Sequence, residues 1–319
     1  MKTIADIIKA GTADATHKAH ESDLLYFTAW AEAAGCDPAL PIPEEVVIDF
    51  IQQHLAEMPP HIEKVMVENG PKKFYGPHSV NTVDRRIASL SFAHREADLP
   101  NPCRNPRVRL VFSKAKSAAV KDGRGPKRKK AITRKLFDQM IATFGNSITD
   151  KRDKAILLFG FGSGGRRRSE IAAARMEDLD RVRGGYVYTL PHSKTDQEGR
   201  GEKKPIRGRA FKALHDWITA AGIVDGYIFR KIVSDTVTED GITPETVNQI
   251  VKDRVEMCGR KRSEFSAHSL RRGFATECGR QGVSVRDTMQ MTGHKTVSVV
   301  MQYHEEGEIF SNPGGKVLD

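Results

Sequence analysis

The stretch from 266 to 303 reads SAHSLRRGFATECGRQGVSVRDTMQMTGHKTVSVVMQY and gathers side chains able to handle a phosphate: His268, Arg271, His294 and Tyr303. His268 and Arg271 are three apart and share a face of a helix, beside an apolar stripe of Leu270, Phe274 and Cys278 at i, i+4 and i+8. Gly282 reads as the stop of that helix. Ser284 with Asp287 reads as a capping box for a second short helix, and Gly293 as its end, immediately before His294. Tyr303 follows nine residues after that histidine. Arg, His and Tyr without an acidic partner suit an anionic substrate, because a phosphodiester needs its oxygens neutralised while a hydroxyl attacks phosphorus. A tyrosine nucleophile would give a covalent phosphotyrosyl intermediate.

A second cationic cluster lies upstream, where GSGGRRRSEIAAAR reads as a glycine-preceded helix start crowded with guanidinium groups, a ready anion site. Taken singly, each residue has a plain structural explanation: Tyr303 after an apolar run is core, and His294 after a glycine is part of a helix cap. Their joint spacing points to chemistry.

The HxLR box from His268 to Arg271, the pair Gly293-His294 and the tyrosine nine residues on resemble the signature of the tyrosine recombinases, or phage integrase family. The equivalent family turn reads Gly, apolar, Arg, any residue, Ser, Glu, apolar. Matching Ser169-Glu170-Ile171 to it implies that Arg167 is the catalytic arginine and that Glu170 braces it, with Arg166 standing where the family carries an apolar residue. Arg166 and Arg168 remain alternatives. A lysine on a hairpin tip is ordinarily a solvated charge, but the family's catalytic lysine lies in the β-hairpin after the first arginine; the resemblance therefore implies Lys194, followed by Thr195, with Lys203 and Lys204 as alternatives.

The mechanism so implied has Arg167 and Arg271 on the non-bridging oxygens, His268 and His294 hydrogen-bonding the same group and assisting proton movement, and Lys194 protonating the leaving 5′ hydroxyl. Tyr303 forms a 3′-phosphotyrosyl bond, with no metal, nucleotide or other cofactor. The implied partners are double-stranded DNA with an inverted-repeat site, other copies of the chain in a tetramer on two duplexes, and accessory DNA-bending proteins. A type IB topoisomerase, relaxing DNA through a similar pocket, and a non-catalytic sequence-specific binder are the competing readings. The complete set of reactive residues argues against the binder, and a helical bundle plus linker favours a site-specific recombinase or integrase.

Charge distribution agrees with a nucleic-acid partner. The chain of 319 residues has a formal net charge of +10, yet between Arg104 and Lys135 alone thirteen basic residues face the single acid Asp122. Cys36, Cys103, Cys258 and Cys278 lack the spacing of a zinc site or disulfide framework, and no apolar run is long enough to span a bilayer, so a cytoplasmic protein is expected.

The elements that must position these residues are mostly helical, giving a mainly α fold with a small β-sheet. Residues 1–116 read as a helical, DNA-clamping N-terminal domain in which Val83, Ile87, Leu90 and His94 face inward and Arg85 and Arg86 outward to DNA. Residues 117–130 read as a basic linker offering Arg124, Lys127, Arg128, Lys129 and Lys130 to phosphates. Residues 131–319 read as an α+β catalytic domain: a helix capped by Thr133, a hairpin from YVYTL to about Ile206, and helices ending near Gly222 and Gly259.

Overall fold

The computed structural model describes residues 14–71, 76–125, 128–191 and 201–308. It divides the chain into two compact units, Met1–Arg128 and Lys129–Asp319.

In the first unit α1 (Asp14–Ala33), α2 (Glu44–Leu55), α3 (Pro60–Glu68), α4 (Val80–Glu96) and α5 (Pro106–Ala119) surround one apolar core. Trp30 and Phe50 meet edge to face at 5.0 Å between ring centroids, and the indole N–H donates to Gln53 Oε1. Leu25, adjacent to this stripe in sequence, faces solvent.

Two expectations for this unit are corrected. Arg86 is buried, not turned outward: it stands three residues after Val83 and four before Leu90, on the inward face of α4. Its guanidinium carbon lies 3.2 Å from the Tyr26 ring centroid, and it donates to His78 Nε2 and pairs with buried Asp23. Arg85 is half-exposed and pairs with the same Asp23. The linker also begins later than composition suggests: Ser117–Ala119 belong to α5, whose alanines and lysines favour helix, and Ala119 is buried. A wide turn from Val120 to Arg124 follows, with Gly123 at φ 74°.

The second unit begins with α6 (Arg134–Ala142), capped by Thr133, and α7 (Ile148–Gly162), capped by Ser147. A glycine turn leads into the short α8 (Arg168–Ala172). An antiparallel sheet in the order β1 (Leu179–Val182), β2 (Gly185–Leu190), β3 (Glu202–Arg207) pairs Leu179 with Tyr188 and Tyr188 with Lys204. Next come α9 (Gly208–Ala220), the hairpin β4 (Arg230–Val233) and β5 (Thr236–Gly241), and α10 (Pro244–Met257). The chain closes with α11 (His268–Arg280), α12 (Val285–Thr292) and α13 (Val297–Glu308). One core of Ile156, Leu157, Phe159, Trp217, Phe229, Val251, Leu270 and their neighbours joins these elements.

Placement of α11 depends on Gly273, where an added Cβ would stand 2.0 Å from the Ile132 carbonyl oxygen. Gly273→Ala is therefore expected to destabilise the second unit by about 1–3 kcal/mol through overpacking, seen as an earlier calorimetric transition.

Candidate active site

Three local structures bring the cations together. Gly164 and Gly165, at φ 100° and 68°, turn the chain between α7 and α8, and a Cβ on Gly165 would lie 2.4 Å from the Arg271 Cα. This places the arginine-rich turn directly on α11, which carries His268 and Arg271. Ser284 caps α12 by accepting from the Asp287 N–H at 3.0 Å, and Gly293, left-handed at φ 69°, ends it as expected.

Arg271 is 3% exposed. Its Nε–H donates to His294 Nε2 at 3.2 Å and its Nη1 to the Gly165 carbonyl at 3.2 Å; Nη2 is buried with no hydrogen-bond partner among the described residues. Because His294 Nε2 accepts, the proton sits on Nδ1, which donates to Thr292 Oγ1 at 2.7 Å, and that hydroxyl donates to the Thr288 carbonyl. The imidazole is thus held in one tautomer from behind. Tyr303 on α13 is half-buried, its ring centroid 6.1 Å from that of His294.

Arg167 is partly exposed and shares Glu170 with the start of α8: the carboxylate accepts from the Arg167 backbone N–H at 3.0 Å and pairs with its guanidinium. Arg166 points inward, 1% exposed, with Nη1 3.7 Å from Glu170 and Nη2 donating to the Met291 carbonyl. Arg168 is exposed and pairs with Glu245. The arrangement therefore separates the three arginines into one inside, one partly exposed near Arg271 and one outside.

Burial first, and then the crowding of like charges, depresses every resolved basic group here. Burial, then Arg166 and Arg167, bring Arg271 down to about 10; burial, then Arg271, bring His294 down to about 4; His268, an exposed residue at the start of α11, is lowered by partial desolvation of its ring, then by Arg271. Both imidazoles are neutral near pH 7 while Arg271 keeps its charge.

Lys194 lies outside the described residues, as does Lys127. Lys203 is exposed on β3, whereas Lys204 is buried, its Nζ donating to the Gln290 carbonyl and pairing with Glu202 at 2.7 Å. Sequence reasoning gave Lys204 only as an alternative catalytic lysine, and its alternation on β3 with Ile206 is the signal for its inward direction. Of the linker residues, Arg124 donates to the Leu55 carbonyl, Lys129 to the Ser263 carbonyl, and Lys130 pairs with Glu264 at 2.9 Å; Arg128 is exposed. Among the described residues no cluster of His, Cys, Asp or Glu could hold a metal ion, and no helix is long and apolar enough to cross a membrane.

The sequence matches the family model described as the phage integrase family over residues 130–308. An integrase/recombinase xerD homolog from Selenomonas ruminantium is 30% identical over 319 residues, covering 96% of this chain and 85% of that protein. The recombinase cre of Escherichia phage P1 is 27% identical over 242 residues, 70% of each chain. In fold, the chain is similar to the XerH site-specific recombinase bound to a palindromic difH substrate, with TM-score 0.65 and 12% identity over 94% of this chain and 79% of that one. It is also similar to the Tn1549 transposon integrase in complex with transposon right end DNA, with TM-score 0.62 and 15% identity over 98% and 97% of the two chains.

Two outcomes are expected of this geometry. A Cβ on Gly279 would stand 2.6 Å from the Cα of His304, next to Tyr303, so Gly279→Ala should shift α13 and slow any step that uses the tyrosine, about tenfold or more, in a single-turnover assay. His294, depressed below its unfolded value of about 6.5, contributes stability above that pH, and the contribution is lost as pH falls toward about 4. An NMR titration should find its imidazole protonating near that lower value without DNA, and at higher pH once a duplex phosphate occupies the pocket.

Proposed function

The chain belongs to the phage integrase family and is a tyrosine-type, site-specific DNA recombinase, and we propose that Tyr303 is its nucleophile in a phosphate pocket formed by Arg167, Arg271, His268 and His294. The observation that carries this reading is the cluster itself: Arg271 Nε donates to His294 Nε2 at 3.2 Å, and the His294 ring centroid lies 6.1 Å from that of Tyr303. A phosphodiester is the anion such a cationic cluster suits, its non-bridging oxygens accepting from the guanidinium and imidazole groups.

In the reaction, the Tyr303 oxygen attacks phosphorus and the bond to the 5′ oxygen breaks, leaving a 3′-phosphotyrosyl ester and a free 5′ hydroxyl. An imidazole of the pocket, neutral near pH 7, accepts the phenolic proton; Lys194, assigned by the family resemblance, supplies the proton to the leaving oxygen. Arg167 and Arg271 neutralise the phosphorane oxygens, with Glu170 fixing Arg167. Attack by a second 5′ hydroxyl reverses these steps, so rejoining conserves the ester and needs neither metal nor nucleotide.

The first unit acts as the clamp on the duplex. Arg104, Arg109, Lys114 and Lys116 on and before α5 are exposed and offer phosphate contacts that add affinity without reading sequence, and Arg124, Lys127, Arg128, Lys129 and Lys130 of the basic linker are expected to add to them. Arg86 is left out of this set by its burial. The working assembly is a tetramer on two inverted-repeat sites in the cytoplasm, with DNA-bending proteins as accessory partners.

Covalent trapping tests the reading. Nicked duplexes carrying candidate sites, quenched with detergent, should yield protein-linked DNA at one inverted repeat. Tyr303→Phe should abolish the adduct and leave the Kd for DNA within about twofold. Adducts that survive this substitution would dismiss Tyr303 as nucleophile, and Tyr303-dependent adducts scattered over many sequences would point to a relaxing enzyme.

A further inference from the structure

The C-terminal end of α12, Thr292, lies two residues before His294, and the carbonyls of its last turn have distant partners. An α-helix leaves its last four carbonyls without intrahelical donors, and here Met289 receives the Gly293 N–H at 2.7 Å in the ordinary left-handed cap. The next two carbonyls are taken by buried cations from distant parts of the chain. Lys204, from β3, donates its ammonium to the Gln290 carbonyl, and Arg166, from the turn before α8, donates Nη2 to the Met291 carbonyl. Both side chains are almost wholly inaccessible, Arg166 at 1% and Lys204 at 2%.

Ordinary helix capping does not account for this. Gln290 lies at the surface, where water would satisfy its carbonyl, whereas bringing an ammonium and a guanidinium out of water carries a large desolvation penalty. The surroundings are fitted to the same end. A Cβ on Gly164 would stand 2.2 Å from the Met291 carbonyl oxygen, so the turn carrying Arg166 is pressed against the helix end. On the other side Glu202 pairs with Lys204, and its carboxylate lies 3.3 Å from where a Cβ on Gly293 would be. Glu202, Lys204, Gln290, Gly293 and His294 line a single cleft. Arg166 occupies the position at which the family resemblance calls for an apolar side chain, so this half of the arrangement is not part of the arginine motif itself.

We propose that Arg166 and Lys204 are positioning residues which grip the end of α12 from two sides and thereby set His294 against Arg271 and the scissile phosphate. Two point attachments on successive carbonyls fix both the height and the rotation of the last helical turn; a single cap would leave the rotation free. Because Lys204 sits on β3, the same grip ties the base of the β2–β3 hairpin to the histidine, so that the two parts of the site move together.

The inference rests on His294 acting on the phosphate, and the experiment separates the two ideas. Full-length Lys204→Met, Arg166→Met, Arg166→Lys, Glu202→Gln and His294→Ala would be compared in single-turnover formation of the covalent adduct on a nicked duplex. DNA affinity and the imidazole NMR signals of the DNA-free proteins would be measured alongside. Lys204→Met and Arg166→Met should each slow adduct formation about tenfold or more and displace the His294 resonances, with DNA affinity within about twofold. Arg166→Lys, which keeps a donor for the carbonyl, should recover most of the rate. Glu202→Gln, partly exposed and still able to pair, gives the weaker form of the same effect if Lys204→Met fails to fold. Unmoved His294 resonances in folded Lys204→Met and Arg166→Met would overturn the proposal, whatever their rates. Displaced resonances together with a His294→Ala that cleaves at the parental rate would uphold the grip and refute the role of His294 on the phosphate.

Discussion

The structure of the second unit depends on holding positive charge inside the protein before its counterion arrives. Arg166, Arg271 and Lys204 are buried and Arg167 is partly so, while Glu170 and Glu202 are the acids paired with them. The remaining counter-charge comes from backbone carbonyls: Gly165 for Arg271, Met291 for Arg166, Gln290 for Lys204. Carbonyl dipoles are weaker than carboxylates, so the cluster stays electropositive, and its neighbouring cations add to the burial that lowers Arg271, His268 and His294. A carboxylate in place of these dipoles would quiet the repulsion and compete with the phosphate. Donors already fixed in place need no reorganisation as charge develops on the phosphorane, which is where such preorganisation lowers a barrier.

Carbonyls can serve this purpose only if backbone approaches side chain closely, and that requirement explains the glycines around the site. Gly164 lies against the end of α12, Gly165 against Arg271, Gly273 against Ile132 and Gly279 against His304. Each removes a Cβ where two segments of the unit meet closely. The apolar core below, from Phe159 and Ile171 to Leu270, then fixes the spacing that these contacts define.

Features that are local in sequence were legible before any coordinates. Ser284, Gly293 and Thr133 cap helices at the expected places, and the spacing of Arg271, His294 and Tyr303 pointed to side chains that the fold brings together. The choice of Arg167 came from resemblance; that Arg166 points inward is decided by Met291, 125 residues away, which no local pattern contains. Arg86 was misread for a similar reason. Charge argued for solvent, but helical phase put it inside, and the Tyr26, His78 and Asp23 that make burial tolerable come from other elements. The β4–β5 hairpin escaped notice because Ser234 and Asp235, both at positive φ, form its tight turn without the glycine that usually signals one.

Two populations of positive charge therefore coexist in one chain and answer to salt differently. Arg107, Arg109, Lys114 and Lys116 of α5 are exposed, within reach of mobile ions, and a Debye length of about 8 Å at physiological ionic strength weakens the attraction such charges would have for a duplex. Those around Arg271 are buried, and bulk ions screen them far less. With the roles proposed for them, affinity and chemistry would be decoupled: raising salt would weaken DNA binding chiefly through the exposed cations, while the field at a bound phosphate would change little. The decoupling also accounts for where the net charge lies. Thirteen basic residues crowd the interval from Arg104 to Lys135, and the buried cations Arg166, Lys204 and Arg271 lie outside it, because a group held out of water cannot also serve as a solvated contact.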